Sequence, residues 1–255
     1  IIPWNSQMFL TAVKLAPALA MGNTIIIKAS EIAPTPLLEF AKIIDKVGIP
    51  KGVVNIITGF ADTCSKLLTS HPKINKIAFT GGVHTAKHIV RNSAENLSQI
   101  SLELGGKSPV VVFKDARKNN AINGIMASIF GAGGQSCIAG SRLYLQEEIY
   151  DEYLEELKNR VEEIEIGDPL STTTQLGPLA TLNQLQNIEE KIKQTKELGG
   201  KIITGGNKVD KFKNGYYFEP TIIECANHNL PVAENELFGP VLSVMKFKDE
   251  ENAIK

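Results

Sequence analysis

Cys137 stands in the run Gly133-Gly134-Gln135-Ser136-Cys137-Ile138-Ala139-Gly140. Glycines let backbone N–H groups close on whatever lies there. Such donors stabilise a thiolate, which is the nucleophilic form of the side chain. A lone cysteine is otherwise more often a small buried hydrophobe, so the flanking glycines are what point this one towards covalent chemistry. Glu103, in Glu103-Leu104-Gly105-Gly106-Lys107-Ser108-Pro109, closes an apolar strand-like run. A carboxylate there is either paired, for example with Lys107, or functional, because an unpaired buried charge is costly. Asn5, in Pro3-Trp4-Asn5, reads on its own as a turn residue or helix N-cap. Phe79-Thr80-Gly81-Gly82 ends a strand and opens a helix, a geometry that aims N–H groups at phosphate, although it is shorter than a full G-x-G-x-x-G. Lys28-Ala29-Ser30-Glu31 follows another strand and alone is a polar loop. Glu236-Leu237-Phe238-Gly239-Pro240 alone says little.

The elements that must position these residues alternate. Helix patterns over Met8–Ala20, Pro36–Val47, Ala61–Thr69 and Val83–Asn92 interleave with strand patterns over Thr24–Ile27, Val53–Ile57 and Lys76–Phe79. Pro36 in the first turn and Gly48 just past the end bracket the second helix. Parallel strands require such crossovers, so a βαβ series is expected. A run as apolar as Ile25-Ile26-Ile27 suits a sheet buried on both faces. After the strand Gln99–Leu104, Gly105-Gly106 reads as a hinge. Residues 1–105 are then expected to form a cofactor-binding domain and residues 106–255 a catalytic domain. The second part reads as strand Pro109–Phe113, helix Asn119–Ile129, glycine-rich loop Gly131–Gly140, strand Arg142–Leu145 and helix Ile149–Ile164. Helix Leu182–Leu198 and strands Lys201–Thr204, Tyr216–Ile223 and Val241–Phe247 follow. The fold class is α/β, an open, mainly parallel Rossmann-like cofactor domain followed by an α/β catalytic domain, both truncated.

Composition narrows the function. The 255 residues carry 27 basic and 28 acidic side chains, a net charge of −1, without a block of like charge, so neither a nucleic acid nor a membrane surface is an expected partner. No apolar run approaches the ~18 residues of a bilayer span. Cys64, Cys137 and Cys225 are odd in number and far apart, which argues against a disulfide framework and for a reducing cytoplasm. They offer no zinc spacing, and His84 and His88 lack a third ligand, so no metal is expected. The chain opens Ile1-Ile2-Pro3-Trp4, without the charged region of a signal peptide, and stops inside the helix-like run Asp249–Lys255. Both ends read as those of an internal fragment.

Taken together, the motifs resemble those of the aldehyde dehydrogenase superfamily, in order and along essentially the whole chain. The family pattern runs Pro-Trp-Asn, Lys-Pro-Ser-Glu, Phe-Thr-Gly-Ser, Glu-Leu-Gly-Gly-Lys, Gly-Gln-x-Cys and Glu-Ile-Phe-Gly-Pro, and each has its counterpart here at family-like spacing. The resemblance implies oxidation of a small aldehyde to a carboxylic acid with hydride transfer to NAD, NADP being the alternative. Cys137 matches the nucleophile, Asn5 the oxyanion donor together with the Cys137 N–H, and Glu103 the base that activates water. Lys28 and Glu31 match the pair on the adenosine ribose, where a carboxylate favours NAD. Thr80, Gly81 and Gly82 match the pyrophosphate loop. Glu236 matches the residue on the nicotinamide ribose, with Phe238 beside it. Ile2, Trp4, Gly59 and Leu104 match positions lining the cofactor cleft. Lys14 matches a lysine near the active site in many members, and Leu10, Phe130, Ser136 and Ile138 a mixed apolar substrate wall.

Three departures spare the chemistry. Ala29 replaces a rigid proline, Gly82 replaces a serine hydroxyl on phosphate, and Ala86 stands where a glycine is common. Length is the larger one, since the chain is roughly half of a typical member. A fragment of this extent is expected to be inactive alone, and the full-length protein to be a homodimer or homotetramer. Two alternatives stand beside the hydrolytic enzyme. One is a relative that passes the acyl group to coenzyme A, which Glu103 argues against. The other is a non-catalytic family member, which Cys137, Glu103 and Asn5 together argue against.

Overall fold

A computed structural model describes all 255 residues, and the chain divides into two compact units, Ile1–Gly105 and Gly106–Lys255. The first holds α1 (Gln7–Ala20), β1 (Ile25–Lys28), α2 (Thr35–Lys46), β2 (Val54–Ile57), α3 (Lys66–Ser70), β3 (Lys76–Gly81), α4 (Val83–Ser93) and β4 (Gln99–Leu104). A wide π-type turn, Ala61–Ser65, precedes α3 and takes up half of the helix expected there. Pro36 in its first turn and Gly48 at φ +79° bracket α2 as expected.

The strands of this unit pair in parallel as β1 with β2 and β3 with β4. The dipeptide Ile1-Ile2 laces the two pairs together, with Ile2 N donating to Lys28 O at 3.1 Å, Thr80 N to Ile1 O at 3.3 Å and Ile1 N to Ala78 O at 2.8 Å. This lacing lays Pro3-Trp4-Asn5 beside the carboxyl ends of β1 and β3. Beneath, Ile2, Leu15, Ile27, Ala29 and Leu37 form one core cluster and Ile77, Phe79, Ala86 and Ile89 another. Within these 255 residues only one face of β1 is covered, and Ile26 is 40% exposed. Alternate side chains of a strand point to opposite faces, and only the Ile25 and Ile27 side meets the packed core.

The second unit holds β5 (Pro109–Val112), α5 (Lys118–Phe130), β6 (Arg142–Gln146), α6 (Tyr150–Glu162), α7 (Leu182–Glu197), β7 (Lys201–Thr204), β8 (Thr221–Glu224), α8 (Pro231–Glu234), β9 (Val241–Phe247) and α9 (Glu250–Ile254). They build one five-stranded sheet of order β5-β6-β9-β8-β7, parallel except for the edge strand β7. In β9, Val241–Met245 are all buried, the signature of a central strand covered on both faces. The strand expected over Tyr216–Ile223 shrinks to Thr221–Glu224, with only isolated bridges at Tyr216 and Phe218. Pro220 has no N–H to give a ladder, so pairing starts after it. The core includes Ile122, Ile125, Ile129, Leu143, Leu145, Tyr150 and Leu157. No helix is long and apolar enough to cross a membrane.

Candidate active site

In the first unit the motif residues gather at the carboxyl ends of the parallel strands. Lys28 ends β1, Gly59 follows β2 by two residues, Thr80 and Gly81 end β3, and Glu103 and Leu104 end β4. Thr80 pairs with Glu103, and Gly81 with Leu104, across β3 and β4. From α1, Lys14 Nζ donates to Thr80 Oγ1 at 2.6 Å. Burial holds the Lys14 ammonium below its ordinary value, and the carboxylate of Glu103 opposes that shift. Lys14, Thr80 and Glu103 therefore form one polar group, a neighbourhood the separate motifs do not reveal.

Glu103 itself is exposed and makes no ion pair. The β4 pattern explains this, since Gln99, Ser101 and Glu103 share its polar face. No salt bridge joins it to Lys107, whose Nζ has no hydrogen-bond partner.

Lys28 Nζ meets Glu31 Oε2 at 2.6 Å, with the Lys28 side chain 5% and the Glu31 side chain 37% exposed. Burial pushes the Glu31 carboxyl up, but the Lys28 ammonium and a backbone hydrogen bond outweigh it and hold the carboxyl below its usual range. Gly82 opens α4 with nothing within 4 Å of the place a Cβ would occupy, and no side chain caps that helix. The first N–H groups of α4 therefore lack a side-chain partner, as an anion site requires. A Cβ on Gly59 would come within 2.5 Å of the Cys64 Cβ, so only glycine lets the turn after β2 run so close to the next one.

Cys137 belongs to the second unit and is partly buried. α5 ends in the tight turn Gly131–Gly134, where Ala132, Gly133 and Gly134 have φ of +52°, +61° and +68°. Gly140 N then donates to Ser128 O at 3.1 Å, returning the chain to the start of β6. A second loop, Glu236–Gly239, approaches the first so closely that a Cβ on Gly134 would lie 2.1 Å from Gly239 O. Gly106, Gly134, Ser136, Glu236 and Phe238 line one small cavity between these loops. Burial raises the Glu236 carboxyl above its ordinary value, against the Gly106 N–H and the Lys107 ammonium.

Lys107 carries a role that the motifs do not assign. Its Nζ is sealed from solvent without a hydrogen-bond partner. Burial, then the neighbouring Arg142, lower it to about 8, while Cys225 and Glu236 pull the other way.

Phe130 is 6% exposed and packs in the core of the second unit, and Leu10 packs against the core of the first. Each lies at a periodic apolar position of its helix, so packing takes the side chain. Ile138, by contrast, is 80% exposed.

The aldehyde dehydrogenase family model matches residues 1–255. The chain is 55% identical to (Z)-2-((N-methylformamido)methylene)-5-hydroxybutyrolactone dehydrogenase of Acinetobacter baylyi, over 100% of this chain and 52% of that protein. It is 38% identical to betaine aldehyde dehydrogenase of Bacillus subtilis, again over 100% of this chain and 52% of the relative. The crystal structure of PnpE in complex with nicotinamide adenine dinucleotide superposes with a TM-score of 0.96 at 42% identity, covering 99% of this chain and 52% of that one. A putative aldehyde dehydrogenase from Burkholderia cenocepacia gives a TM-score of 0.97 at 42% identity, with the same coverage. The chain thus spans about half the length of these relatives. Matched from its first residue to its last, with every motif in order, the chain belongs to the aldehyde dehydrogenase family.

Proposed function

We propose that this chain carries the nucleophile, the base and most cofactor contacts of an NAD-dependent dehydrogenase that oxidises an aldehyde to a carboxylic acid through a thioester on Cys137. The observation that carries this reading is the gathering of the first unit's motifs at the carboxyl ends of its parallel strands, where open α/β sheets take their ligands. Ile1–Gly105 then acts as the cofactor-binding part and Gly106–Lys255 as part of the catalytic domain.

The residues fit a dinucleotide. The uncapped start of α4, with Thr80, Gly81 and Gly82, would receive the pyrophosphate. Lys28 and Glu31 would take the adenosine ribose, where the Glu31 carboxylate would repel a 2′-phosphate and so favour NAD over NADP. Glu236, with Phe238 beside it, would take the second ribose, and Ile2, Trp4, Gly59 and Leu104 would line the cleft. The relative PnpE holds NAD in its crystal structure, which supports the same choice here. When bound, NAD supplies the two-electron acceptor for the hydrogen that leaves the substrate carbon.

The chain's own residues do the rest. The Cys137 sulfur attacks the carbonyl carbon, a C–S bond forms, and the carbonyl electron pair moves onto oxygen. The Asn5 amide and the Cys137 N–H hold that oxyanion, each worth roughly 3 kcal/mol by analogy with other oxyanion holes. Loss of the carbon-bound hydrogen with its electron pair leaves the thioester. Glu103 then takes a proton from water as the oxygen adds to the thioester carbon, and collapse breaks the C–S bond to release the acid and the Cys137 thiolate. Ser136 and the exposed Ile138 border the substrate's approach. The setting is the cytoplasm, and the working form is a homo-oligomer.

The test uses the complete gene product, following NADH formation with short aliphatic, aromatic, amino- and semialdehyde substrates. Cys137→Ser should abolish turnover. Persistent turnover in that variant, or steady formation of an acyl-coenzyme A, would overturn the reading.

A further inference from the structure

Gln135 takes no part in the chemistry above, yet its side chain has both of its polar ends engaged. We infer that Gln135 is a positioning residue for Cys137, tying the nucleophile loop to the segment Pro178–Gln184. This inference rests on the reading of Cys137 as the nucleophile.

The backbone just before Gln135 needs holding. Ala132, Gly133 and Gly134 lie consecutively in the left-handed region, at φ +52°, +61° and +68°. For Ala132 that conformation is unfavourable, and such backbone persists only where its surroundings determine it. Gly134 is braced by Gly239, since no Cβ fits between them. Gln135 supplies the other brace. Its Oε1 accepts from Ala180 N at 2.9 Å and its Nε2 reaches Pro178 O at 3.5 Å. An amide is the side chain that can accept from one backbone group and donate to its neighbour at once.

The segment it grips is itself fixed. Leu179 N donates to Tyr216 O at 2.8 Å, and the Thr181 hydroxyl caps α7 by accepting from Gln184 N at 3.2 Å. From that first turn, Gln184 Nε2 donates to Leu237 O and Phe238 O. One segment therefore holds the nucleophile loop through Gln135 on one side and the Glu236–Gly239 loop through Gln184 on the other. Past Cys137 the loop is pinned again where Gly140 N meets Ser128 O at 3.1 Å. With both ends held, the placement of the thiol between them follows.

The experiment reads the iodoacetamide alkylation rate of Cys137 by mass spectrometry in the complete gene product, with Cys64 and Cys225 as internal references. Gln135→Leu keeps the bulk but leaves the Ala180 N–H without its acceptor. Gln135→Asn keeps the amide but is one methylene too short to reach. Each should slow Cys137 by about tenfold, in line with the loss of one part-buried hydrogen bond, and leave the two reference cysteines unchanged. A wild-type rate in a folded Leu or Asn variant overturns the tether. If wild-type Cys137 alkylates no faster than Cys64, the nucleophile reading itself has failed.

Discussion

Replacing Lys107 by Met should make the protein more stable near neutral pH and weaken its hold on NAD. The ammonium is sealed without a hydrogen-bond partner, and burial lowers it from 10.5 to about 8. The gap of about 2.5 pH units, at 1.36 kcal/mol each, means that keeping Lys107 charged costs the fold ~3 kcal/mol at pH 7. Its sign follows from proton binding. Between pH 8 and 10.5 the unfolded chain holds the Lys107 proton and the folded chain releases it, so stability rises with pH across that window. From pH 7 to pH 9 the gain is ~1.4 kcal/mol. Cys225, raised by burial to about 11, works in the opposite direction above pH 9, which sets the upper limit of the comparison. Urea unfolding of wild type and Lys107→Met at both pH values, followed by circular dichroism, isolates the lysine as the difference between the two proteins. The variant should gain stability at pH 7 and lose the wild-type rise towards pH 9. It also removes the positive charge that opposes the rise of the Glu236 carboxyl, so NAD affinity, measured by calorimetry, should fall. Parallel pH curves, or a variant less stable than wild type at pH 7, would refute the account of Lys107 as an uncompensated buried charge.

Gly134→Ala should destabilise the protein by about 3 kcal/mol, because the new Cβ would lie 2.1 Å from Gly239 O at a φ of +68°. A melting temperature equal to wild type would show that the two loops can separate at little cost. Glu31→Gln should remove an ion pair whose contribution is present above the ordinary carboxylate range and fades as pH falls through the lowered value of the folded state. An unchanged acid limb in the variant's unfolding curve would contradict that. Glu103→Gln should keep a single-turnover burst of NADH but slow steady turnover by at least ~100-fold, and an intact steady rate would remove Glu103 as the base.

Much of this protein is legible in its residues because the signals are local. Strand and helix periods, Pro36 and Gly48 around α2, and the glycines near Cys137 depend on neighbours a few positions away. The motif order alone identifies the family and nominates Cys137, Glu103 and Asn5. What local pattern could not supply was placement across the chain. Tyr216–Ile223 reads as a strand until Pro220 interrupts its ladder. Phe130 and Leu10 match a substrate wall in the sequence, and their packing against the two cores emerges only in the fold. Lys107 is one of two readings for the surroundings of Glu103 in the sequence, whereas in the fold its charge is sealed near Glu236, Arg142 and Cys225. The joining of Lys14, Thr80 and Glu103 needed Lys14 of α1 to reach Thr80, which the parallel register of β3 and β4 sets opposite Glu103. The proposed tether through Gln135 depends on Ala180, 45 positions away, donating to it. Side-chain chemistry and backbone period are written residue by residue, whereas burial, pairing register and charge neighbourhood arise only when distant segments exclude water together, and these were left to the tertiary structure.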